Sequence, residues 1–319
     1  MKLGVLTVPL YGMSLEESLE YLSGLGVQTV ELGAGGFPGN THTLPYINGE
    51  KPIEELKELL QKYNLEISAI SAHGNAIHPN KEVAAKFQAD FETAVLFAEK
   101  LGIDTVITFS GCPGGAPGDT TPNWVTCPWP DDFLKILDYQ WNEVLIPYWK
   151  KTVEFARSHG VTKIAFEMHP GFCVYNTETL LKLREAVGPE IGANFDPSHL
   201  IWQGMDPVAS IRMLGDAIFH FHAKDTRLDA YNIARIGVLD NKHYGDVAGR
   251  AWSFRTIGYG TGEQQWKEIV TALRTVGYDG ALSIEHEDSM MSPKEGLEKA
   301  IALLKNVLVY EQPGEMWWA

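Results

Sequence analysis

The sequence predicts an α/β protein, one closed (β/α)8 barrel spanning residues 1–319, and three observations carry that reading. Short runs of strand composition alternate strictly with helix-length segments, eight of each at a mean spacing of about 40 residues. The runs are apolar on both faces, as parallel strands covered by helices are. Four consecutive runs, at 163–167, 191–195, 217–222 and 280–285, end at Glu167, Asp196, His222 and Glu285. No Gly-x-Gly-x-x-Gly follows the first strand, which counts against a doubly wound open sheet.

Taken in order, Met1-Lys2-Leu3-Gly4-Val5-Leu6-Thr7-Val8-Pro9 reads as the first strand, with an apolar stretch too short for a signal peptide. Ser14 followed by Glu17 resembles a capping box and opens a helix to about Leu25. A strand at 29–32 leads into a loop rich in Gly, Pro and Asn (33–50), then a helix over 53–63. The third strand, 66–72, empties into His73-Gly74-Asn75. A long helix over 82–100 precedes the strand at 105–109. Residues 112–131 form a Pro/Gly/Trp-rich insertion, long enough to be a lid or binding loop. The helical stretch 133–158 is expected to kink or split at Pro147. In the second half, helices fall at 178–187, 207–214, 264–275 and 294–308. A second insertion, 226–262, is too irregular to assign, and a tail ends in Trp317-Trp318.

Hydrophobic residues make up 45 % of the chain, ample for one large core, and the net charge of −15 repels nucleic acid and anionic membranes. Three scattered cysteines form no disulfide framework and suit a reduced, cytoplasmic compartment. No apolar run approaches the ~20 residues of a membrane span.

In a barrel of this kind the C-terminal ends of the strands converge on one mouth. Glu167, Asp196, His222 and Glu285 therefore meet there. Three carboxylates and an imidazole cannot all stay charged at close range without a cation. Oxygen-rich ligands with one nitrogen suit Mn2+ first, or Mg2+, with Co2+ or Zn2+ able to substitute. Around them, His73 and Asn75 follow the third strand and are candidate contacts to substrate hydroxyls. Lys224 is expected to pair with Asp225 or touch a substrate oxygen. Glu31, at the end of the second strand, reaches either the pocket or nearby loop amides. His169 is a candidate for a supporting place behind the ligands, and His78 reads as structural. Trp124, Trp129 and Trp252 lie in the insertions, where they pack on a sugar ring or under the loops. Arg250 and Arg255 are candidates for binding a carboxylate or phosphate, although no glycine-rich turn marks a phosphate site.

The segments Phe166-Glu167-Met168-His169-Pro170, Asn194-Phe195-Asp196-Pro197-Ser198-His199, His222-Ala223-Lys224-Asp225 and Ser283-Ile284-Glu285-His286-Glu287-Asp288, with the His73-Gly74-Asn75 loop, resemble the sugar isomerase/epimerase superfamily with the xylose isomerase-like TIM barrel. The resemblance spans nearly the whole chain. It implies that Glu167, Asp196, His222 and Glu285 hold the metal and that Glu167 and Glu285 double as the acid/base pair. It implies that His199 binds a substrate oxygen. Ketose epimerases of that superfamily carry an arginine shortly after the position of His222, and Arg227 stands near that place.

The expected activity is a metal-dependent isomerase or epimerase acting through an enediolate on a non-phosphorylated sugar or polyol ketone. The alternative is a lyase, hydratase or deglycosidase acting on 3-keto-glycosides, and a deglycosidase leaves room for a partner subunit, with which some relatives work. Nucleic-acid hydrolysis needs more metal-binding histidines and a basic face. A silent sugar-binding module would not need both glutamates. The apolar tail and long loops lead us to expect a homo-oligomer.

Overall fold

The computed structural model describes all 319 residues. In chain order the strands are β1 (Lys2–Leu6), β2 (Thr29–Gly33), β3 (Glu66–Ser71), β4 (Thr105–Thr108), β5 (Lys163–Glu167), β6 (Ile191–Phe195), β7 (Ile218–Ala223), β8 (Asp225–Leu228), β9 (Trp252–Arg255) and β10 (Ala281–Ile284). Eight of them, β1 to β7 and β10, form one parallel barrel that closes where Lys2 to Val5 pair with Ala281 to Ile284. The expected barrel is therefore present, with strand ends within a residue or two of those read from the sequence.

Local chemistry sets the helices. Ser14 accepts the amide proton of Glu17, and Glu17 in return accepts that of Ser14, so the capping box forms at the start of the helix Leu15–Gly24. Asn80 caps the long helix Lys81–Leu101, which ends at Gly102 in the left-handed conformation. The expected break near Pro147 takes the form of a π-helical stretch, Tyr139–Leu145, placed just before the helix that carries this proline in its first turn.

Apolar side chains between the sheet and its helices make a core of 61 buried residues. Inside the barrel, a small plug of Ala69, Ile107 and Ala165 with Phe219 fills the lumen. Buried polar groups, among them Glu31, Asn194, His220 and His222, occupy other lumen positions. The second insertion is more ordered than its sequence suggests. β8 and β9 pair as an antiparallel ribbon, with Asp225 opposite Arg255 and Leu228 opposite Trp252, and the helix Ala230–Ile236 lies between them. Its apolar side chains pack on Trp202 as a separate small core of Trp202, Ala251, Trp252 and Phe254. Asp225 anchors the ribbon by accepting from the amides of Gly258, Gly260 and Thr261.

Candidate active site

The four groups expected to meet do meet. One donor atom each from Glu167, Asp196, His222 and Glu285 lies within 4.8 Å of every other. Glu167 ends β5, Asp196 caps the short helix Pro197–Trp202, His222 is the next-to-last residue of β7, and Glu285 directly follows β10. All are buried except Glu285, which is partly open to the mouth.

Each is held from behind. Glu167 accepts from His199 Nε2 at 2.9 Å on one oxygen, and its other oxygen lies 3.0 Å from His73 Nε2. Asp196 accepts the Ser198 amide at 2.8 Å. His222 Nε2 stands 2.9 Å from Glu31, deep in the lumen, and its Nδ1 lies 3.1 Å from both Glu167 and Glu285. Glu31 also accepts from Ser71 and from Ser283. It neither enters the substrate pocket nor binds loop amides, as its sequence position suggested. It orients His222 instead.

Lys224 is the buried cation of the cluster. Its Nζ lies 2.7 Å from Glu285, 3.1 Å from Asp196 and 3.1 Å from Glu287, and 4.7 Å over the ring of Phe254. It pairs with these carboxylates rather than with Asp225, which the β8–β9 ribbon uses. Burial works against the Lys224 charge, but Asp196 and Glu285 outweigh it and hold its pKa well above the usual lysine value. Burial equally opposes the Glu167 carboxylate, which Lys224 and His73 hold well below its ordinary range. For Asp196 burial wins over Lys224, and the carboxyl is pushed up to about 7. Glu31 is fully buried, yet His222 pulls it down to about 2.

Two atoms of the cluster, Asp196 Oδ2 and His222 Nδ1, are buried and make no well-directed hydrogen bond, only ion-pair contacts: Oδ2 lies 3.1 Å from Lys224 Nζ, and Nδ1 lies 3.1 Å from Glu167 and from Glu285. With Nε2–H given to Glu31, Nδ1 points at the Glu167 and Glu285 carboxylates, whose charge draws a proton or another cation to that position. The geometry and the donor chemistry fit a divalent ion: three carboxylates, one imidazole nitrogen, and a second-layer carboxylate fixing the ring.

The remaining expected residues divide. His199 and His73 both touch Glu167, so they stand beside the ligands. Asn75 is committed to the loop after β4: its amide nitrogen donates to Cys112 O at 2.8 Å and its oxygen accepts the Cys112 amide at 3.0 Å. His169 packs against His199, with ring centres 4.1 Å apart and planes tilted by 54°, and lines the mouth. His78 accepts the Asn80 amide, a structural role. Arg227 does not line the mouth: it lies in the second half of β8, where both Arg227 and Leu228 are exposed, while Asp225 and Thr226 are buried. Arg255 spends its Nε on Asp288, and Arg250 donates to backbone carbonyls within the insertion. Trp252 is stacked face to face on Trp202, Trp129 is exposed, and Trp124 packs on Tyr175; none lines the mouth.

Above the cluster opens a cavity of about 690 Å3. Its aromatic lining was not read from the sequence. Phe37, Phe109 and Phe172 stand on one side, Tyr244 and Phe254 on the other. Gly36 makes the placing of Phe37 feasible: its φ is +67°, any Cβ there would strike the carbonyl of His73, and the next amide, of Phe37, donates to that carbonyl at 2.8 Å.

A family model described as a xylose isomerase-like TIM barrel matches residues 19–307. The uncharacterized protein YfiH of Bacillus subtilis is 39% identical over 312 residues, covering 97% of this chain and 99% of that protein. An inosose dehydratase of Mesomycoplasma hyopneumoniae is 25% identical over 299 residues, covering 93% and 89%. Among solved structures, the IOLI protein with a binding zinc atom superposes with a TM-score of 0.67 at 18% identity, covering 97% of this chain and 98% of that one.

Proposed function

The chain belongs to the xylose isomerase-like TIM barrel family, and from that premise we propose that it is a divalent-metal-dependent enzyme that enolises a non-phosphorylated sugar or polyol ketone, with epimerisation or isomerisation as the net reaction. The observation that carries this reading is the pair of carboxylates, Glu167 and Glu285, each 3.1 Å from His222 Nδ1 and on different strands. Glu167 takes the proton from the carbon next to the carbonyl, and the electron pair moves onto the carbonyl oxygen to give an enediolate. Glu285 returns a proton, to the opposite face for epimerisation or to the neighbouring carbon for isomerisation. When bound to Glu167, Asp196, His222 and Glu285, the divalent ion supplies charge stabilisation for the enediolate. Mn2+ is the first choice and Zn2+ an alternative, in line with the zinc in the IOLI structure. His199 and His73 hold the Glu167 carboxylate in its reacting orientation. Lys224 adds positive charge beside Glu285.

A second reading, dehydration, is favoured by one observation: the Lys224 ammonium lies 2.7 Å from Glu285, so a proton donor stands at the site where an elimination must release hydroxide. The similarity to an inosose dehydratase agrees with it. Both reactions begin with the same proton abstraction. The test is to incubate Mn2+-loaded protein with free ketoses and inositol ketones in D2O and follow the products by NMR. Deuterium next to the carbonyl with retained hydroxyls supports epimerisation or isomerisation, and an unsaturated or deoxygenated product supports dehydration. No exchange on any of them ends the enolising reading.

Self-association is part of the proposal. Trp317 and Trp318 are 87% and 69% exposed at the end of the tail, an apolar surface that a second copy would cover.

A further inference from the structure

The mouth combines polar groups with an aromatic lining. Its two aromatic sides rise directly from the reacting centre: the Phe109 ring is 4.7 Å from His73 and 5.1 Å from His169, and the Phe254 ring is 5.2 Å from His199. From there each side continues outward. Phe172 stacks on Phe109 at 4.3 Å, and Phe37 adjoins Phe109 at 6.1 Å. On the other side Tyr244 stacks on Phe254 at 5.7 Å. Phe37, Phe109 and Phe172 follow β2, β4 and β5, whereas Tyr244 and Phe254 come from the insertion after β7, so the sides come from different arcs of the barrel.

The volume, about 690 Å3, falls in the range of about 300–1,000 Å3 that takes drug-sized ligands. Ser253, Glu287, Asp288 and Ser289 in the same lining can take hydroxyls, whereas the phenylalanine rings offer them no hydrogen bond. A flat apolar ring would gain stacking on the rings that line the cavity. Phe37 and Tyr244 are 64% and 51% exposed at the outer end, which leaves their rings open to such a partner.

We propose that the substrate is a sugar or polyol ketone bearing an aryl-type ring, and that this ring stacks in the slot between Phe37–Phe109–Phe172 and Phe254–Tyr244. The inference rests on the enolising reading for the identity of the reacting end, but the slot is tested apart from the reaction. The probes are phenyl and methyl β-D-glucopyranoside, which do not enolise, titrated by calorimetry into the Mn2+-loaded full chain. The phenyl glucoside is expected to bind at least tenfold more tightly than the methyl. In Phe37→Ala the ratio is expected to fall several-fold, and Phe37→Tyr is expected to keep it. Tyr244→Ala tests the opposite side, and both are surface positions whose loss leaves the core intact. Equal binding of the two glucosides overturns the inference, as does an unchanged ratio in both alanine variants. Should Phe37→Ala break up an oligomer and leave the ratio as it was, the wall is a contact between copies and the inference falls. Failure of deuterium exchange on free ketones would remove the enolising reading without touching the ratio.

Discussion

His222 hands its Nε2 proton to Glu31 at 2.9 Å, and the ring is thereby turned so that Nδ1 faces Glu167 and Glu285. Burial disfavours charge on this ring, but Glu31 and Glu285 together hold its pKa well above the usual histidine value. A divalent cation satisfies the same pull without the proton. Replacing Glu31 by Gln keeps the shape but reverses a hydrogen-bond preference and removes the charge behind the ligand. We expect a metal affinity lower by roughly 10–100-fold, read by competition with a chromophoric chelator. An unchanged affinity with the fold intact would show that Glu31 does not act through His222.

That relationship marks where the sequence stops being legible. The strands and their ends could be read because apolar runs and their terminal carboxylates are local signals. Ser14 and Glu17 were legible for the same reason. Glu31 was not, because its partner His222 lies 191 residues away and nothing near Glu31 points to it. The β8–β9 ribbon was hidden because its strands are joined by a long irregular stretch and its apolar residues face Trp202 rather than the barrel. The arginine expected from family resemblance fell at Arg227, in the exposed second half of β8 beyond the buried Asp225 and Thr226. The aromatic slot draws single residues from three loops and the β8–β9 insertion, a pattern without sequence period.

Metal binding is expected to stabilise the protein, since Asp196 Oδ2 and His222 Nδ1, buried without a well-directed hydrogen bond, gain a coordinate bond. At about 100 times Kd a ligand that binds only the folded chain adds about 2.7 kcal/mol. Differential scanning fluorimetry with EDTA and with Mn2+ measures it. A Tm that does not rise with Mn2+ would count against the site.

Arg227 and Arg255 separate surface charge from buried charge. Arg227→Ala is expected to change stability by no more than about 0.5 kcal/mol, with turnover retained. Arg255 Nε lies 3.0 Å from Asp288, whose side chain is fully buried. Arg255→Ala removes the cation, while Asp288 keeps the amides of Thr256 and Met290, and should cost about 1–3 kcal/mol. Urea unfolding of the two variants checks both figures. Equal effects would contradict the assigned environments.

The pH dependence of metal binding follows from the two groups that must lose protons. Asp196 is an acid whose pKa is raised to about 7 by burial, so below that pH it enters the metal-free site protonated. An acid with a raised folded pKa weakens the metal-free fold as pH rises from about 4 towards 7, and metal binding offsets this. His222, held above its usual value, carries its second proton over the same window. Binding therefore releases about two protons below pH 7 and about one just above it. Calorimetry in buffers of different ionisation enthalpy counts them. A slope of log affinity against pH that stays constant through 7 would place the titrating proton elsewhere than Asp196.

The acid/base pair gives the sharpest separation of roles. Glu167→Gln and Glu285→Gln each keep an oxygen that can ligate, so both variants are expected to bind Mn2+ with the fold intact. The amide cannot accept a proton, and general base catalysis contributes about 10²–10⁴-fold. Each variant should lose about that much in kcat. In an epimerase the base for one epimer is the acid for the other, so deuterium exchange should survive from the substrate whose proton is taken by the remaining glutamate. For Glu285→Gln the exchange should persist with the epimer served by Glu167, which His199 and His73 still hold. Near wild-type turnover in metal-loaded Glu285→Gln would end the two-carboxylate mechanism. The base would then have to be sought at His199 or His73, two histidines in contact with Glu167.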